Sequence, residues 1–331
     1  GLTDGEIEDA RPYCELIRRW FNLHPEFSWL PGKFKIAING AKLDETALRI
    51  HDLGLRLVRN SEDQLGFSVF VGGGLGAAAM IAAETASFVK VEDILSYLES
   101  TMRVYNLKGR RDHQKKLRIK FLVRELGADE FSRLVDEDWQ QTKNDPNLKL
   151  NLVELEQLKK DFALPIKSIN LGGFEEKVDF NYSIWKKNNV RSHKINGFSI
   201  VNISLTKLGA APGDATSEQM RILADLAEKY SASELRTTKR QTIVFPYVRK
   251  DQVYDLWQSL EKYGLASPHQ GTLAQIVACP GRDYCDLAKA VSIPIATRVQ
   301  ERFNDMKTLL DIGDLNINIS GCENSCAHHH I

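Results

Sequence analysis

Ala278-Cys279-Pro280-Gly281-Arg282-Asp283-Tyr284-Cys285 and Ser320-Gly321-Cys322-Glu323-Asn324-Ser325-Cys326-Ala327-His328-His329 hold four of the chain's five cysteines. Their cysteines are soft ligands at a density that suits an iron–sulfur cluster or zinc. Zinc knuckles leave about two to four residues between paired ligands. The longer gap between Cys279 and Cys285 therefore favours a four-thiolate iron–sulfur cubane, with zinc and no metal at all left open by spacing alone. The fifth cysteine, Cys14, reads as a buried small hydrophobe. An odd number of cysteines, crowded toward one end, is not the framework of a disulfide-stapled secreted domain. A reducing compartment follows: the cytoplasm, or the plastid stroma if the source is a plant or alga.

Composition narrows the class. The 331 residues are enough for two or three packed units, with 43% hydrophobic and 27% charged residues and 44 basic side chains against 44 acidic ones. A neutral balance argues against a general nucleic-acid binder. No apolar run reaches membrane-spanning length. The first residues lack the plan of a secretory signal, and both ends read as cut, so the chain is expected to be a fragment.

Outward from the cysteines, residues 284–303 read as a helix and 315–320 as a strand. Upstream, strand 197–205, helix 216–230, strand 235–248 and helix 251–263 alternate like half of a ferredoxin-like fold. Thr216 opens that first helix, with Glu218 and Gln219 near its first turn in rough capping-box fashion. In the N-terminal part, 5–23 has helical spacing, 33–40 alternates like a strand, and 66–71 is a strand running into a glycine run. Helices are expected over 91–105, 112–125 and 128–139. The expected organisation is a first repeat over 1–139, a linker over 140–165, a ferredoxin-like half over 166–266 and the cysteine segment over 267–331. The fold class is α+β, with mixed sheets covered by helices. Two weak internal echoes, 35–40 with 316–321 and 12–16 with 283–287, hint at two related halves.

The cysteine segments resemble the cluster-binding signature of the sulfite and nitrite reductase haemoprotein family, in its assimilatory sulfite-reducing form. That resemblance implies that Cys279, Cys285, Cys322 and Cys326 hold a 4Fe–4S cluster. It also implies that Cys326 bridges the cluster to a sirohaem iron and that Asn324 contacts the cofactor. Glu323 stands where the family has Pro. Trp29-Leu30-Pro31-Gly32-Lys33-Phe34-Lys35 is similar to the family's Leu-Pro-Arg-Lys-Phe-Lys, whose lysines face the bound anion; Gly32 replaces the Arg. Strand period independently puts Lys33 and Lys35 on one face and Phe34 on the other. The alternative is a solvated edge strand.

Gly109-Arg110-Arg111-Asp112 resembles the family's Gly-Asn-Arg segment and places Arg111 near the sirohaem carboxylates, which guanidinium groups match in bidentate pairs. The following Lys115, Lys116, Arg118 and Lys120 read as a solvated face, or as a dock for an acidic electron donor. Leu235-Arg236-Thr237-Thr238-Lys239-Arg240-Gln241 is similar to the family's Arg-x-Thr-x-x-Gln, which implies Arg236, Arg240 and Gln241 at the cofactor. The resemblance covers most of the chain. It implies six-electron reduction of sulfite to sulfide, or of nitrite to ammonia, with ferredoxin or a flavoprotein as donor. A metal-cluster protein without turnover is the reading from another class. Gly72-x-Gly74-x-x-Ala77, with Glu92 downstream, imitates a dinucleotide fingerprint before an alanine-rich helix, but the second strand of a βαβ unit is missing and 86–97 reads as helix entry.

Overall fold

A computed structural model of the chain describes residues 1–175 and 177–330. The chain divides into two units between Ala163 and Leu164, with Leu2–Asp4 joining the second. That division falls inside the expected linker 140–165. Most of that stretch is helical and belongs to the first unit.

In the first unit, helix α1 (Arg11–Leu23) precedes a four-stranded sheet of β1 (Ile36–Asn39), β2 (Leu53–Arg59), β3 (Leu65–Val71) and β4 (Ala83–Lys90), in that spatial order. β1 runs parallel to β2, and the other pairs are antiparallel. Alternation decides which face is buried. Leu53, Leu55 and Leu57 lie opposite Val71, Val69 and Phe67, and all six are fully buried. Each such side chain is worth about 1.5–3 kcal/mol of burial. Helices α2 (Ile94–Lys108), α3 (Ile119–Leu126) and α4 (Ala128–Thr142) complete this core, and α5 (Leu152–Asp161) packs on α1.

Several expectations change here. No helix follows the glycine run: residues 83–90 form strand β4, so the dinucleotide fingerprint has no helix N-terminus for a pyrophosphate. The glycines have a packing reason instead. A Cβ on Gly73 would press into the carbonyl oxygens of Arg49 and His51, and one on Gly74 would sit 2.8 Å from the Arg118 guanidinium. α3 begins at Ile119 rather than near 112, after an extended Arg118. Cys14 keeps exposed surface on α1, yet burial of its thiol pushes the pKa up to about 11.

In the second unit, α6 (Phe180–Asn189), β5 (Val190–Ser192), β6 (Phe198–Ser204), α7 (Ser217–Tyr230), β7 (Arg236–Thr237), β8 (Thr242–Arg249) and α8 (Val253–Lys262) form an antiparallel sheet of order β5-β6-β8-β7 with helices packed on it. The Thr216–Gln219 capping box forms in full. Pro246 is tolerated inside β8 because it lies at the register shift opposite β6, between the pairs Ser199–Val248 and Val201–Phe245. Beyond this sheet, β9 (Ile276–Ala278) and β10 (Ile317–Ile319) make a two-stranded parallel sheet, joined through α9 (Ile293–Arg302) and α10 (Met306–Ile312). The expected helix over 284–303 shrinks to α9, with Pro294 in its first turn and a loop before it. No helix among the described residues is long and apolar enough to cross a membrane.

Candidate cluster-binding site

The pairing of β9 with β10 places the cysteines. Ile276, Val277 and Ala278 stand beside Ile317, Asn318 and Ile319, so both strands deliver their next residues at the same end. Cys279 leaves β9 there and Ser320-Gly321-Cys322 leaves β10 beside it. The Cys279 N–H donates to the Ile319 carbonyl at 3.1 Å. The two loops are laced together: the Lys289 and Ala290 N–H groups donate to the Gly321 carbonyl at 2.8 and 2.9 Å, while within the first loop the Arg282 N–H donates to the Ala290 carbonyl at 3.2 Å. Glu323, the departure from the family pattern, pairs with Lys289 at 3.1 Å and adds an exposed clip between the same loops.

Cys279 is the most constrained of the four. Its Sγ accepts from the Gly321 N–H at 3.1 Å and lies 3.6 Å from the Ser292 hydroxyl, which donates to the Cys279 carbonyl at 2.6 Å. Burial pushes the thiol up, but hydrogen bonds from the Gly321 N–H, the Ser292 hydroxyl and the Gly281 N–H outweigh it and hold it below the ordinary cysteine value. Cys285 and Cys322 are half-buried and Cys326 is exposed. Two successive turns, with Ser325 and His328 in the left-handed region, carry the chain past Cys326. Buried Ser325 anchors them through a 3.0 Å contact between its hydroxyl and His329 Nδ1. Asn324 is exposed on the same turn. Among the described residues, no three Cys, His, Asp or Glu side chains stand close enough to share one ion. The donor set and the strand ends suit a thiolate-ligated cluster; convergence of all the thiols does not come with the backbone alone.

The motif before β8 is drawn toward these strands in part. Gln241 donates through Nε2 to the Ala278 carbonyl at 2.9 Å and accepts from the Ala278 N–H at 3.1 Å. Arg240 bonds the Asn316 side chain at the entry to β10. Arg236 turns the other way, to Glu234 at 2.6 Å and the Tyr247 hydroxyl at 2.9 Å.

In the first unit, Lys33 and Lys35 are exposed and Phe34 packs inward against Phe21 and Tyr105. The alternation holds although the strand itself starts only at Ile36. A Cβ at Gly32 would meet Leu117 Cβ at 2.9 Å, which explains why this chain has no larger residue there. Arg111 binds the Trp29 carbonyl at 2.9 Å and Asn106, so it braces the turn leading to Lys33. The basic segment after it is no uniform solvated face. Lys115 and Lys116 are exposed, but Arg118 grips fully buried Asp52 in two 2.9 Å bonds. Asp52 also accepts the Lys35 N–H at 2.9 Å. Lys120 is buried and donates to the Leu75 and Ala78 carbonyls at 2.9 and 2.7 Å, and burial, with the Arg118 charge, lowers its pKa. An acid opening an apolar run at Asp52 was the available signal; its partner lies too far along the chain to be read from spacing.

Comparison with known proteins gives the family. A model of the nitrite and sulphite reductase 4Fe-4S domain matches residues 1–143, and one of the nitrite/sulfite reductase ferredoxin-like half domain matches 206–263. The chain belongs to the sulfite and nitrite reductase haemoprotein family. The four clustered cysteines lie outside both matched ranges. Within this reductase family, a ferredoxin sulfite reductase of Mycolicibacterium paratuberculosis is 25% identical over 97% of this chain and 52% of its own length. A chloroplastic ferredoxin–nitrite reductase of Arabidopsis thaliana is 26% identical over 98% of this chain and 51% of its own. The solved structure of the Mycobacterium tuberculosis NirA protein shares the fold, with a TM-score of 0.70 and 24% identity over 99% of this chain and 54% of that one. The chain thus spans about half the length of the curated relatives it matches.

Proposed function

We propose that this chain is the cluster-bearing part of a reductase that takes sulfite to sulfide in six electrons. The observation that carries the reading is the delivery of two cysteine pairs to the same end of two paired parallel strands. Cys279, Cys285, Cys322 and Cys326 would hold a 4Fe–4S cluster, with Cys326 shared with a sirohaem. When bound, these groups supply the electrons and the iron that takes the anion. Lys33 and Lys35 offset the anion's charge and donate hydrogen bonds and protons as oxygen leaves as water. Arg111, Arg236 and Arg240 already donate to protein acceptors; a guanidinium has further N–H groups for sirohaem carboxylates. Asn324 and Gln241 flank the cluster loops. The printed names of the relatives support a ferredoxin as donor, and free thiols suit a cytoplasmic or stromal setting. Nitrite is the second reading, supported by the nitrite reductases among the relatives.

The test is the visible spectrum of the anaerobically purified natural-length protein, with iron and acid-labile sulfide assayed on the same sample. Sirohaem bands and about five irons per chain are expected, a cubane plus one haem iron. Sulfite and nitrite titrations then rank the substrates. Cluster iron without sirohaem bands would leave a cluster protein without turnover, and zinc or no metal would overturn the reading.

A further inference from the structure

The two strands that deliver the cysteines are short: Ile276 and Ala278 are buried against α9, but their backbone pairing is slight. β9 and β10 are three residues each and, among the described residues, pair only with one another; such a ribbon is marginal by itself. In a parallel pair, alternate residues turn their N–H and C=O groups to the same neighbour. Cys279 turns its N–H to β10. Ala278 therefore turns both backbone groups the other way, at a buried position where orphaned groups are costly. The Gln241 amide meets both of them, in the manner of a third strand.

Gln241 is placed for this at some conformational expense. Its φ is +57, in the left-handed region that side chains other than glycine seldom take. Gly213 leaves it room, since a Cβ there would stand 2.7 Å from Gln241 Cβ. The adjacent Arg240 grips Asn316, so one turn of the ferredoxin-like sheet holds β9 at its end and β10 at its start.

We infer that Gln241 is a positioning residue for Cys279. Its side-chain amide fixes the peptide from which Cys279 leaves the strand, and so sets where the Cys279 thiol meets the Gly321 N–H. The family resemblance placed this glutamine at the cofactor; the inference gives it a main-chain partner instead. It rests on the proposed cluster only for its iron readout.

The experiment is alkylation of the metal-free natural-length protein by iodoacetamide, with each cysteine followed by peptide mass mapping and Cys14, in the other unit, as internal reference. Gln241→Ala and Gln241→Asn are compared with Thr216→Ala, which weakens the same unit by removing the α7 cap. Asn tolerates the left-handed backbone but is too short to reach Ala278, so it guards against a folding failure of the alanine variant. The alkylation ratio of Cys279 to Cys14 is expected to shift about tenfold in both Gln241 variants, as local opening replaces a fixed geometry, and to stay at the wild-type value in Thr216→Ala. Iron retained after anaerobic reconstitution should fall in the same two variants. An unchanged ratio in the Gln241 variants, or an equal shift in Thr216→Ala, would overturn the inference. Absence of iron uptake by the wild type would count against the proposed function and leave the alkylation result standing.

Discussion

Replacing Asp52 by Ala should cost the first unit about 3 kcal/mol, the lower end of what breaking one partner of a buried ion pair costs. The structure supplies the reasons for that size. Asp52 is fully buried and accepts two bonds from Arg118 and one from the Lys35 N–H, all at 2.9 Å. Its loss leaves the Arg118 guanidinium without its counter-charge, near the buried Lys120 ammonium. Arg118 keeps 23% side-chain exposure, so water relieves part of the penalty and the upper end of the range does not apply. Hydrogen exchange of β2 and β3 amides by mass spectrometry reads this unit separately from the other. At about 1.4 kcal/mol per decade, the fully protected amides should exchange about a hundredfold faster or more. Asp52→Asn keeps an acceptor for the Lys35 N–H and should lose about half as much. The double variant Asp52→Ala with Arg118→Ala should lose less than the sum of the singles by about 1 kcal/mol or more. A single-variant loss below about 1 kcal/mol with additive doubles would refute the reasoning.

Gly73→Ala should lower the melting temperature by about 5–10 °C, because two backbone carbonyls cannot move aside for its Cβ, whereas Gly173→Ala, with open space around it, should shift it by about 1 °C or less. Equal shifts would show that the glycine run is not held by packing. Burial alone would raise the Asp9 carboxyl, but the Arg11 guanidinium and N–H outweigh it and lower its pKa. Its contribution is therefore present above the unfolded value, near pH 4, and disappears as pH falls through the folded one. Asp9→Asn should cost about 0.5–1 kcal/mol in urea titrations at pH 6 and progressively less as pH falls below about 4; a pH-independent difference would reject the ion-pair account. Lys33→Ala and Lys35→Ala should leave stability within about 0.5 kcal/mol, since both side chains are exposed, and under the proposed function should raise the sulfite concentration for half-saturation about tenfold or more. Unchanged saturation in both would remove the lysines from the anion site.

Local patterns read well from the residues. The Thr216–Gln219 capping box, the strand at 198–204, and the opposition of Lys33 and Lys35 to Phe34 each depend on neighbours a few positions away, and each appears as expected. What was missed depends on partners distant in sequence. Residues 83–90 carry alanines that favour helix, yet β3 offers an open edge and Thr85, Phe88 and Val89 accept it as strand. Arg118 and Lys120 look like members of a charged surface run; buried Asp52 and the carbonyls of the glycine run turn them inward. Gln241 is legible as part of a motif, but its role follows only from where β9 ends.

The parallel pairing of β9 with β10 also sets an order of events in folding. Antiparallel neighbours can join through a tight turn, whereas these two strands meet only after the chain has gone out through α9 and α10 and returned. Such non-local closure is slow, because chain entropy is lost before any contact rewards it. During synthesis Cys279 and Cys285 therefore emerge first, with half of the thiol set and without the Gly321 N–H that steadies Cys279. The interval before β10 arrives is when these two thiols are open to oxidants and stray metals.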